Sequence, residues 1–174
     1  LNGMAHLEAL DRAFGATNIL GGSCQISVTL RPDGVIHSMI PLDALTLGAR
    51  QPVQQEAMLR LAEVLKRGGF EVRLSNDIVA TMWDKWVLLA TLAAMTTLLR
   101  ADTGEIAATR HGPTLIGATL AECCTIAAAH GHIIPKARSD EVRGLFTDPA
   151  THISASMRRD LEAGRPVEAD HIIG

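Results

Sequence analysis

Apolar residues recur at helical spacing from Ser75 to Arg100 (SNDIVATMWDKWVLLATLAAMTTLLR). From Trp86 onward they cover nearly the whole circumference. Ser75, Asn76 and Asp77 each carry a side-chain oxygen able to accept the orphan N–H bonds of a helix start, and no Gly or Pro occurs after them until Gly104. The stretch predicts the central helix of the chain, buried on most sides. Asp84 and Lys85 stand near its beginning, and Thr91, Thr96 and Thr97 interrupt the apolar residues beyond them. The apolar run is therefore short of the roughly 18 residues a membrane span needs. A helix inside a globular domain is expected, with no membrane partner.

Ahead of this helix the pattern is mixed. Met4, Leu7 and Leu10 predict a helix to Phe14, capped by Gly15. Cys24, Ile26, Val28 and Leu30 then alternate with polar residues, the period of a strand. Arg31-Pro32-Asp33-Gly34 predicts a turn, with Val35 to Ile40 as the return strand. Pro41 is expected to end that strand and Leu42 to Leu47 to form another. Met58, Leu61, Val64 and Leu65 predict a helix over Gln51 to Arg67, and Phe70, Val72 and Leu74 a short strand. This α/β style stops near Leu74 to Asn76.

Beyond Gly104, where a turn is expected, helices dominate. Pro113 suits the first position of a helix reaching about Ala129, ended by Gly131 and Pro135. Arg138 to Leu145 predicts a short helix. Asp148-Pro149 reads as a cap and helix start, with helix continuing through Leu161. Glu168 to Ile173 begins one more turn. The chain reads as α+β, with a small α/β region over 1–75 ahead of an all-helical region over 76–174.

Composition narrows the function classes. The 174 residues are 47% apolar and 20% charged, as in a folded globular chain, with a net charge of -3 and no basic tract interleaved with aromatics. Nucleic acid is not an expected partner. Three cysteines, two of them adjacent, do not suggest a disulfide framework, so a reducing, cytoplasmic setting is expected. There is no G-x-G-x-x-G, no G-K-[ST] loop, no G-x-S-x-G and no H-E-x-x-H in the chain.

Three residues and two clusters invite chemistry. Lys85 sits between Trp83 and Trp86. An ammonium among apolar neighbours can give a proton to a developing alkoxide, or its stem can simply cover an indole while its charge reaches water beside Asp84. Glu168 opens a helical turn; it can cap backbone amides or orient a hydroxyl and a lysine. Ser156 can bond a helical carbonyl four residues back. His130-Gly131-His132 and Cys123-Cys124 match no common zinc spacing, so no metal is expected.

Three stretches carry a resemblance. They are N-D-I-x-x-x-x-W-x-K at Asn76 to Lys85, GATLAECCTIAAAHG at Gly117 to Gly131, and S-M-R-R-D-L-E-A-G-R-P-V-E-A-D-x-I-x-G from Ser156 to Gly174. Together they resemble the C-terminal domain of the ketopantoate reductase (2-dehydropantoate 2-reductase) family. Residues 1–74 resemble the last part of that family's nucleotide-binding domain. The resemblance implies a helical domain of 6-phosphogluconate-dehydrogenase-like type behind part of a Rossmann domain. It also implies NADPH-dependent reduction of a 2-oxo acid, ketopantoate to pantoate or a related pair, in pantothenate synthesis.

By the same resemblance Lys85 is the catalytic lysine at the keto oxygen, and Glu168 the carboxylate that holds a substrate hydroxyl and assists the lysine. Ser156 contacts substrate, and Asn2 lies near both substrate and cofactor. Leu89, Ala93 and Ile153 stand where the family usually has Asn, which implies a less polar substrate or weakened catalysis. The glycine-rich first half of the nucleotide domain is not among these residues. The chain is thus expected to be a piece of a longer protein, inactive by itself and binding no NADPH alone. The alternative is a helical dimerisation or ligand-binding domain without catalysis. The sheet exposed over residues 17–49 calls for cover by a partner, so a homodimer is expected.

Overall fold

The computed structural model describes residues 2–31 and 33–174, with the side chains of 39–42 outside the description. Contacts divide the chain into two compact units, His6–Met82 and the pair Leu1–Ala5 with Trp83–Gly174.

The first unit holds helix α1 (His6–Phe14), strands β1 (Gly21–Leu30), β2 (Ile36–Gly48) and β3 (Glu71–Leu74), and helix α2 (Gln55–Leu65) between the last two strands. Asp11 on α1 is gripped through both carboxylate oxygens by Arg50, at 2.6 Å each. These hydrogen bonds hold the Asp11 carboxyl below its usual range. Gln54 is buried and fully used. Its amide donates to the carbonyls of Ala16 and Ile19, and its Oε1 accepts from the backbone of Arg50 and Gln51.

β1 and β2 pair antiparallel from Gly21–Gly48 to Leu30–Ile36, and β3 runs parallel to β2. A helix connecting parallel strands is the α/β style expected. Gly21 and Gly48 are required by close approach, because a Cβ at either would lie 2.5 or 2.4 Å from the buried Ile78 side chain.

Pro41 does not end the return strand. Ile26 pairs with Asp43 and Val28 with Ser38, so residues 39–42 form an irregularity inside one long β2. A bulge is where a sheet accepts the missing proline N–H, and the two expected strands are one. The Gly34 amide bonds the Arg31 carbonyl, as the turn requires; Pro32 itself, and Leu1, lie outside the described residues.

In the second unit α3 (Ile78–Leu99), which starts within the first, supplies much of the core: Val87, Ala90, Thr91, Leu92, Ala93, Met95 and Thr96 are all buried. Thr91 and Thr96 return their hydroxyl protons to the carbonyls of Val87 and Leu92. Arg100 takes the left-handed conformation that closes the helix (φ 52). Helix α4 (Thr103–Ala107) comes next, then α5 (Gly112–Ala129) and α6 (Lys136–Thr147), packed around Ile106, Ile116, Leu120, Val142 and Phe146.

Gly104 is inside α4 rather than at a turn. Asp102 and Glu105 form a reciprocal capping box that starts this helix. The helix expected from Pro149 is also absent. Asp148 makes an Asx turn to Ala150 and a backbone turn to Thr151, residues 151–155 are irregular, and α7 covers just Ser156–Glu162. Hydrogen bonds from that segment to Thr103 and Thr96 take the place of helical ones. The short α8 (Ala169–Ile172) is the last helix among the described residues.

By length and composition alone α3 and α5 could each cross a bilayer, α3 included despite Asp84 and Lys85. About half of the α3 window and a third of the α5 window are buried in protein.

Candidate active site

Asp77 fixes the start of α3 by accepting the Ala80 amide at 3.0 Å. Two turns on, Asp84, Lys85 and Trp86 are each half-buried. Asp84 is committed elsewhere, to the Nε of Arg138 at 2.9 and 3.1 Å. Arg138 is held above its usual pKa by that bond first, and then by Glu141.

Trp83 is buried as the middle of an aromatic stack. The rings of His130 and His132 lie nearly parallel to it at 5.0 and 5.6 Å, and Trp86 meets it edge-on at 5.2 Å. The two histidines that invited a metal reading are packed on one indole. Among the described residues no three His, Cys, Asp or Glu side chains converge. No disulfide joins cysteines among the described residues.

Glu168 occupies the N-cap position of α8, yet its side chain caps nothing there. Its Oε2 accepts from the Asn2 amide at 3.2 Å. Gly3, next in the chain, has φ +81 and presses on α8 so closely that a Cβ would come within 2.2 Å of the His171 carbonyl oxygen. At the far end of α8 the Trp86 indole donates to the Ile172 carbonyl at 2.9 Å. Asn2 and Glu168 therefore touch, and α8 is tied to α3 at the residue after Lys85.

Ser156 is placed separately. It opens α7 and is exposed, set by the bond from the Ala155 amide to the Thr96 hydroxyl. With Ser156 at the first helical position, no helical carbonyl stands four residues before it. Of the three positions where the resemblance leads one to expect Asn, Leu89 is half-buried and Ala93 is core at 2% exposure. The Ile153 backbone is bonded in both directions to Thr103.

The sequence reading missed Trp86 and Thr103. Each offered a signal: an indole N–H or threonine hydroxyl taken even partly out of water must find a partner.

Chemically, an ammonium on α3 can stabilise or protonate an oxyanion. A carboxylate held by an amide can accept a hydroxyl proton. A dinucleotide pyrophosphate fits these residues poorly. At the turn from β2 toward α2 the Arg50 and Gln51 amides are taken by Gln54, and Pro52 has none. At the turn from β3 into α3 the Asp77 carboxylate occupies the helix N-terminus.

A family described as "Ketopantoate reductase PanE/ApbA C terminal" matches residues 77–174. An uncharacterized oxidoreductase of Bacillus subtilis, YkpB, is 32% identical over 174 residues, all of this chain and 57% of the relative. A 2-dehydropantoate 2-reductase of Pyrobaculum aerophilum is 36% identical over 118 residues, 68% of this chain and 42% of that protein. The crystal structure of 2-dehydropantoate 2-reductase from Geobacter metallireducens superimposes with a TM-score of 0.85 at 27% identity, covering 98% of this chain and 57% of that one.

The chain belongs to the ketopantoate reductase family. Its fold is the family's, a helical C-terminal domain behind part of a Rossmann region. It spans about 57% of the length of the Bacillus and Geobacter proteins.

Proposed function

We propose that the complete protein reduces a 2-oxo acid to the 2-hydroxy acid in the cytoplasm, with NADPH as reductant. The observation that supports this most is the Asn2–Glu168 bond on α8, with α8 itself tied beside Lys85. Chain segments from both ends thus meet on α8, and α8 is bonded to the residue that follows the lysine the family motif marks. NADPH, if bound by the complete protein, would supply the hydride, and a glycine-rich segment outside these residues would hold its pyrophosphate.

In this reading the Lys85 ammonium donates a proton to the carbonyl oxygen as negative charge grows there. That interaction is strongest in the transition state. Glu168, oriented by Asn2, accepts a hydrogen bond from a substrate hydroxyl, and Ser156 is the further substrate contact. Half-buried Leu89, one turn past Lys85, favours an acid that is apolar at that turn, apart from the hydroxyl that Glu168 holds.

The test is NADPH oxidation by the complete protein over a panel of 2-oxo acids of graded polarity. Lys85→Ala is expected to lower turnover about 100-fold or more, the usual worth of a positioned proton donor. Near wild-type turnover in that variant would remove Lys85 from the mechanism.

A further inference from the structure

We infer that Trp86 is a positioning residue for Glu168. The inference rests on the function proposed above for Glu168, and its structural half stands on α8 alone. This helix is four residues long, far below the length at which a helix holds itself, and no side chain caps its start. Something else must keep it in place.

Two contacts do so. Gly3 lies against the His171 carbonyl, and the Trp86 indole donates to the Ile172 carbonyl across 86 positions of sequence. Ile172 is itself buried, and carbonyls at a helix C-terminus lack helical partners, so an N–H aimed at one fills a standing vacancy in the hydrogen bonding. The indole cannot easily turn away, since Trp83 meets it edge-on and is in turn stacked by His130 and His132.

The path from the α5 end to the site is therefore continuous: imidazoles, Trp83, Trp86, the Ile172 carbonyl, α8, Glu168 and Asn2. Trp86 is the next residue after Lys85 on α3. One rigid residue thus fixes the helix carrying the carboxylate relative to the helix carrying the ammonium. The spacing of two such groups tells heavily on rate, because displacements near 1 Å can cost about a hundredfold.

Trp86→Phe keeps the ring against Trp83 and removes only the donor. In the complete protein, hydrogen exchange of the α8 amides is expected to quicken about tenfold while that of α5 stays unchanged. Turnover of the 2-oxo acid is expected to fall about tenfold in the wild-type background. It should not fall further when Trp86→Phe is added to Glu168→Gln, because the residue acts through Glu168. Unchanged α8 exchange, or exchange quickened equally in α5, overturns the latch. An undiminished effect on turnover in the Glu168→Gln background overturns its action through Glu168. A wild-type protein that reduces no 2-oxo acid sinks the proposed function instead, and α8 exchange then decides the latch alone.

Discussion

Asp102 uses one carboxylate for two purposes. One oxygen accepts the Glu105 amide at 2.8 Å and starts α4, and the other meets His152 Nδ1 at 2.9 Å. The Glu105 amide is the main reason its pKa lies below the usual carboxylate value, with His152 and the Gly104 amide adding to it. A pKa lowered by folding contributes stability that is full above the unfolded value, about 3.9, and is lost as pH falls through the folded one. Asp102→Ala is expected to cost about 1 kcal/mol near pH 7, measured by urea unfolding. The gap between wild type and variant should narrow steadily below about pH 4. A gap that stays constant down to pH 2 would show that the charge has no part in it.

Residues 151–155 are kept out of helix by two threonines on other elements. Thr103 is buried; its hydroxyl donates to the Thr151 carbonyl at 2.7 Å and accepts from the Ile153 amide at 3.1 Å. Thr103→Val keeps the shape and strips both bonds, leaving two backbone groups short of partners. The expected cost is about 2 kcal/mol, read as a lower urea midpoint with an unchanged slope. A loss within a few tenths of a kcal/mol would mean that water replaces the hydroxyl. The same segment shows why part of the fold was illegible in sequence. Asp148-Pro149 is a sound local helix signal, but long-range bonds to Thr103 and Thr96 outweighed it. Pro41 failed as a strand end for a similar reason, since the pairing partner absorbs it in a bulge. Where a long apolar run agrees with a local start signal, as in α3 with its Asp77 cap or α5 with Pro113, the local pattern was sufficient. For the site, motif likeness singled out Lys85, Glu168 and Asn2. The Asn2–Glu168 contact spans 166 positions, and no local pattern encodes it. The capping reading of Glu168 gave way because Asn2 claims the carboxylate.

At the scale of the whole molecule, the sheet is the part most in need of a neighbour. β1 is an outer strand of the order β1-β2-β3, and its alternate residues Ile26, Val28 and Leu30 are all exposed, Leu30 at 71%. Val35 and Ile36, at the other side of the hairpin, are exposed as well. A long strand edge bordered by an apolar stripe is a template for pairing or burial, and burying such side chains contributes roughly 1.5–3 kcal/mol each. A net charge of only -3 offers little repulsion between copies. The expected outcome is a homodimer of the complete protein at micromolar concentration, detected by sedimentation. Because the chain spans about 57% of the Bacillus relative, the complete protein is the right sample; its remaining part could cover the stripe instead. Leu30→Glu separates these cases. If a second copy covers the hairpin, the variant sediments as a monomer with unfolding otherwise unchanged. A monomeric wild type, with Leu30→Glu lowering its unfolding midpoint, would place the cover within the same chain and end the dimer proposal.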